Sequence, residues 1–119
     1  LAEDEPPARL EAGEVLPLHF IWRTLADTDV DYTMSLQWLN GDGLPASQVD
    51  EMLPRGSSAW LPDEVVSQII KTTAPDAPGD YRLIVAVYDA NRNGLPRLRL
   101  PSGEDFVEVA RVRVLPDQP

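Results

Sequence analysis

Tyr81, Leu83, Val85 and Val87 alternate with Arg82, Ile84, Ala86 and Tyr88 immediately after the turn Pro78-Gly79-Asp80. An apolar period of two over eight residues belongs to a β-strand, because successive side chains leave a strand on opposite faces. The strand opens on an inward tyrosine behind a glycine turn. That arrangement marks the corner of a two-sheet β-sandwich, where the phenol hydroxyl bonds back to backbone a few residues upstream. It predicts a buried Tyr81, with Gly79 shaping the turn that delivers it.

The same period recurs along the chain. In Val15 to Arg23, Leu16, Leu18, Phe20 and Trp22 share one face, while Pro17 on the other marks an edge or a bulge. In Asp31 to Leu39, Tyr32, Met34, Leu36 and Trp38 alternate with Asp31, Thr33, Ser35 and Gln37, which predicts one buried and one wet face. Asn40-Gly41-Asp42-Gly43 then supplies hairpin turn residues. A more polar edge strand is expected over Ala46 to Met52, and a short one over Arg97 to Leu100. From Asp105 to Leu115 the apolar phase slips between Val107/Val109 and Ala110/Val112/Val114, predicting a β-bulge near Val109.

Residues 64–73 read two ways. Val65, Val66, Ile69 and Ile70 have helical spacing, whereas the β-branched content and Thr72-Thr73 favour a strand. The strand reading is preferred, because every neighbouring element is a strand. Seven to eight short strands with no βαβ alternation predict an all-β, immunoglobulin-like or fibronectin-III-like, antiparallel two-sheet sandwich. One domain is expected over residues 10–115, with linker at 1–9 and linker or tail at 116–119, where acidic and proline-rich residues gather.

The 119 residues contain 20 Asp and Glu against 10 Lys and Arg, a formal charge of −10. That balance opposes nucleic acid and bare anionic lipid. There is no cysteine, hence no disulfide, thiol catalysis or zinc–thiolate site. No apolar run has the length of a membrane span. No phosphate-cradling glycine loop or other cofactor motif is present, and no cofactor is expected.

Few residues carry a reading beyond structure. Asp27, Asp29 and Asp31 alternate like calcium ligands, but Tyr32 and Trp38 stand where a calcium loop needs glycine and glutamate. Asp89, Asn91, Asn93 and Gly94 reproduce the first half of such a loop, and Leu100 stands where the final glutamate belongs. Asp and Asn are also ordinary hairpin residues. His19 is the one histidine, and no Gly-x-Ser-x-Gly elbow accompanies it. Trp22 and Trp38 are in phase with core residues and are assigned to packing. Trp60, between a loop and a strand, is the tryptophan available to stack on a sugar ring. Arg92, Arg97, Arg99, Arg111 and Arg113 gather in the last quarter of the chain, where outward arginines on edge strands would block edge pairing or meet acidic neighbours.

The order of landmarks supports a family comparison. Leu18-His19-Phe20-Ile21-Trp22, Asp31-Tyr32, Pro54-x-Gly56, Trp60 with Glu64-Val65-Val66, Pro78-Gly79-x-Tyr81 and Tyr88-Asp89 follow one another from about Leu10 to Leu115. The series resembles the soluble β-sandwich domain at the C-terminal end of multi-pass bacterial membrane proteins, notably of green non-sulfur bacteria. Those proteins look like dolichyl-phosphate-mannose mannosyltransferase-type glycosyltransferases. Two departures stand out: Asp63 occupies a usual glycine position, and the turn after Asp89 is longer than the family's Thr-Gly form. The resemblance implies an extracytoplasmic, non-catalytic accessory domain that binds or positions. Its expected partners are the membrane portion of its own parent chain, a glycan or a protein neighbour. The alternative is a carbohydrate-binding module of a secreted glycan-active enzyme.

Overall fold

The computed structural model describes residues 8–24, 28–99 and 102–116. Seven strands run in the order β1 (Ala8–Glu11), β2 (Val15–Arg23), β3 (Thr33–Leu39), β4 (Pro45–Met52), β5 (Val65–Thr73), β6 (Gly79–Tyr88) and β7 (Val107–Leu115). One sheet has the order β1-β7-β6-β3-β4, and β2 pairs with β5 in a second. The two sheets pack as an all-β sandwich around one apolar core. Residues 64–73 hold the strand β5, so the helical spacing is incidental. Val66 and Ile70 point inward while Val65 and Ile69 stand 62% and 64% exposed.

Two expectations about the chain start are corrected. Residues 8 and 9 belong to a strand rather than to a linker, and that strand pairs with β7 in parallel, so the sandwich is not wholly antiparallel. The reason is a change of sheet within three residues. The Ala12 N–H still bonds to the Leu115 carbonyl in the large sheet, while Gly13 N–H bonds to Ala74 beside β5. Gly13 makes this crossing at φ +80°, open to glycine without strain. A four-residue strand with one large inward residue, Leu10, is too short to show a period.

The wet outer face expected for β3 is also corrected. Ser35 and Gln37 are only 3% and 6% exposed. β3 runs between β4 and β6, and Asp50, Gln48 and Ile84 stand beside these two positions in register. Gln37 donates to the Ser35 hydroxyl at 3.0 Å, so the covered amide keeps a partner. The expected short strand at Arg97 reduces to an isolated bridge with Tyr88, and Leu100 lies outside the described residues.

The core is tied together at Trp38. Its ring is fully buried between the sheets, and its indole N–H donates to the Thr72 hydroxyl of β5 at 2.8 Å. Tyr81 meets it edge-on, with ring centroids 6.1 Å apart. The Tyr81 hydroxyl donates to the Ala77 carbonyl at 2.7 Å, the corner bond expected from sequence. Gly79 turns the chain into β6 at φ +149°. The bulge also appears where expected: Leu83 pairs with Ala110 and Ile84 with Glu108, leaving Val109 without a partner.

Replacing Tyr81 by Phe removes one hydrogen bond and little volume, so a loss of about 1 kcal/mol is expected in urea unfolding. Trp38→Phe both opens space and strands the Thr72 hydroxyl, and should cost about 3 kcal/mol. Equal losses for the two would show that the inter-sheet bond contributes little.

Candidate functional site

The strongest concentration of chemistry is on the outer face of the large sheet, where β6 and β7 pair. Alternation puts Asp80 and Arg82 outward on β6, and Arg111 and Arg113 outward on β7. The register sets Arg82 directly opposite Arg111, Asp80 opposite Arg113, and Arg9 of β1 beside Arg113. Asp80, Arg82, Arg111 and Arg113, with Asn40 and Asp42 of the β3–β4 hairpin, line an open groove of about 600 Å³. The hairpin is held by Asn40, whose Oδ1 accepts from the Asp42 and Leu44 amides at 2.9 and 3.1 Å. Gly43 closes it at φ +77°.

Glu108 accepts from Arg82 Nε at 2.8 Å and from Arg111 Nε at 3.4 Å. Arg113 Nε donates to Asp80 at 2.9 Å. The Arg82 hydrogen bond, with the field of both arginines, holds the Glu108 carboxyl below its ordinary pKa despite some burial. The arginines of β7 do not guard a bare edge along their whole length, since Arg113 is covered by β1. From sequence, Arg111 and Arg113 face outward either to block an edge or to meet acidic neighbours; Arg82 and Arg9 join them only through register.

The residues singled out from sequence are dispersed. Trp60 is 8% exposed, and its indole N–H donates to the Pro54 carbonyl at 2.8 Å. The one-turn 3₁₀ helix Ser57–Ala59 swings it inward, so it packs in the core rather than offering a platform. Trp22 is half-buried, stacks on Phe20 at 5.9 Å and donates to Gln68 Oε1 at 2.9 Å. Trp22 and Trp38 are therefore packing residues.

Among the acidic candidates, Asp27 lies outside the described residues, and Asp29 is exposed. Asp31 accepts from the Ser58 amide at 3.0 Å and the Ser58 hydroxyl at 2.5 Å. The Ser58 hydroxyl, then its amide, lowers the Asp31 pKa. Asp31 thus ties the β2–β3 connection to the 3₁₀ turn, where a side chain on Gly56 would collide with its Oδ1 at 2.8 Å. Asp89 is buried and accepts from the Asn91 amide at 3.0 Å, while Asn91 and Asn93 are exposed. That is a local turn bond. Among the described residues, no three His, Asp or Glu side chains converge as a metal site would need.

A second surface stands out for what it lacks. The outer face of β2 and β5 carries Val15, Pro17, His19, Ile21 and Arg23 against Val65, Ser67, Ile69, Lys71 and Thr73. None of the chain's 20 carboxylates is at these positions, though Asp63 accepts from Arg23 at the end of the face at 3.3 Å. Ile21 is 67% exposed, and neither strand has a second neighbour in its sheet among the described residues. His19 Nε2 hydrogen-bonds the Ser67 hydroxyl in the middle of this face.

Stability against acid tests the arginine cluster. A folded-state pKa below the ordinary value of 4.5 means that Glu108 contributes stability above about that pH, lost as pH falls through the lowered value. Glu108→Gln should therefore flatten the decline of urea-unfolding stability below pH 4.5. An unchanged slope would show that the pairs are absent in solution.

No family model matches the chain, and no curated protein matches it in sequence.

Proposed function

We propose that this chain is a non-catalytic accessory domain of immunoglobulin-like type. In this reading it belongs to a larger membrane-associated protein and works on the outer side of the cytoplasmic membrane or in the envelope. It binds or positions, and its nearest partner is the rest of its own parent chain. The observation that carries the reading is the acid-free apolar face of β2 and β5. Contiguous exposed apolar surface of this kind marks interaction faces on soluble domains. Here half of its ten outward positions are Val, Ile or Pro.

Further support comes from the strand order and the Tyr81 corner, which suit an immunoglobulin-like sandwich. Asp63, which replaces a glycine usual in the family that the chain resembles, takes φ +63°, a conformation glycine adopts freely and Asp tolerates. The carbohydrate-binding module, by contrast, needs an aromatic ring open to a sugar, and Trp60 is buried.

Cysteine labelling in the parent protein tests both parts, because this segment has no cysteine of its own. Arg92→Cys, on an exposed turn, should react with a membrane-impermeant maleimide in intact cells. Reaction only after lysis would overturn the extracytoplasmic placement. Ile69→Cys should react several-fold more slowly than Arg92→Cys in the parent, but equally fast in the excised chain. Equal rates in both settings would overturn the docking face.

A further inference from the structure

Four of the chain's ten cations, Arg9, Arg82, Arg111 and Arg113, share the outer face of β1, β7 and β6. They meet like to like, Arg82 directly opposite Arg111 and Arg9 directly opposite Arg113. Like charges opposite one another in a sheet destabilise it. Glu108 between Arg82 and Arg111, and Asp80 on Arg113, offset part of that repulsion, and a bound anion on the remaining donors would offset more.

The hydrogen bonds within the cluster set its chemistry. Arg82 and Arg111 reach Glu108 through Nε, and Arg113 reaches Asp80 through Nε. Among the described residues, all hydrogen bonds of these three guanidinium groups run through that one nitrogen. The carboxylates therefore orient the guanidiniums from behind and leave the Nη edges for another acceptor. A planar fork of N–H donors fits two oxygens of a phosphate, sulfate or carboxylate. The net charge of −10 does not forbid this, because at physiological salt charges beyond about 8 Å are largely screened. Locally, the guanidiniums of Arg82, Arg111 and Arg113 are matched by the carboxylates of Asp42, Asp80 and Glu108. A balanced site of three donors suits one compact oxyanion held by the free Nη edges, and not a polyanion.

We propose that the groove between the β3–β4 hairpin and the β6–β7 pair is a binding site for a compact oxyanion. Arg82, Arg111 and Arg113 are its donors, with Glu108 and Asp80 as positioning residues. The site takes an inorganic phosphate or sulfate, or the same group on a small uncharged body such as a sugar. It is independent of where the domain docks.

The test is an NMR titration of the 119-residue chain with inorganic phosphate, glucose 6-phosphate and glucose. Phosphate should produce saturable shifts at the arginine Nε–H signals and at the Gly41 and Gly43 amides, with a Kd on the order of millimolar for an exposed site. Tighter binding of glucose 6-phosphate would identify a ligand-borne group, and equal binding the free ion. The paired change Arg111→Gln with Arg113→Gln should weaken binding at least about tenfold. Asp80→Asn keeps an acceptor for Arg113 Nε but removes a competing charge, so affinity should rise several-fold, a gain that misfolding cannot mimic. Absence of saturable shifts, glucose binding as well as its phosphate, or affinity unaltered in these variants would each overturn the proposal.

Discussion

The hydrogen bond from Trp38 to Thr72 links the centres of the two sheets, and the sandwich is arranged around it. Indole burial supplies the largest apolar surface in the core, and its N–H has to find an acceptor away from water. Thr72 provides that acceptor from β5 at 2.8 Å. The bond fixes the position of β5 along β3, since a shift of one residue would turn Thr72 outward and bring Lys71 or Thr73 to the indole. Tyr81 then closes the other side of the ring, and its own hydroxyl is anchored at Ala77.

The same logic governs Gln68, the second polar residue on the inner face of β5. It accepts from Trp22 Nε1 at 2.9 Å and donates to the Met52 carbonyl at 3.2 Å. A buried amide with partners on both ends joins β2, β5 and the end of β4. These polar contacts act where the two-stranded sheet is too narrow to cover a five-stranded one by apolar contact alone.

Much of this was legible in residues that alternate strongly. Tyr81 to Val87 and Met34 to Trp38 announce both their strands and their inner faces, and the phase slip at Val109 announces the bulge. β5 was harder, because its inward set is Val66, Gln68, Ile70 and Thr72. Two polar members blur the period, and the exposed Val65 and Ile69 counterfeit a helical stripe. Trp60 misled for a different reason. Its local setting is a loop, and only the 3₁₀ turn and the Pro54 carbonyl decide that the ring goes inward. β1 was invisible because its partner, β7, is about a hundred residues away in the chain and four residues carry no period.

The arginine groove depends on the bulge more directly than on any single arginine. Before it, Val107 pairs with the inward Val85 and Glu108 with the outward Ile84; after it, Ala110, Val112 and Val114 face the core and Arg111 and Arg113 face out. Glu108 and Arg111 are three residues apart, and in a regular strand an odd separation puts two side chains on opposite faces. The extra residue at Val109 restores them to one face, which lets a single carboxylate orient both Arg82 and Arg111. Bulges commonly re-aim side chains in this way beside functional sites. A regular β7 in this chain would bury either the arginines or Glu108. The irregularity therefore gives the strand its apolar inner row and its charged outer one together.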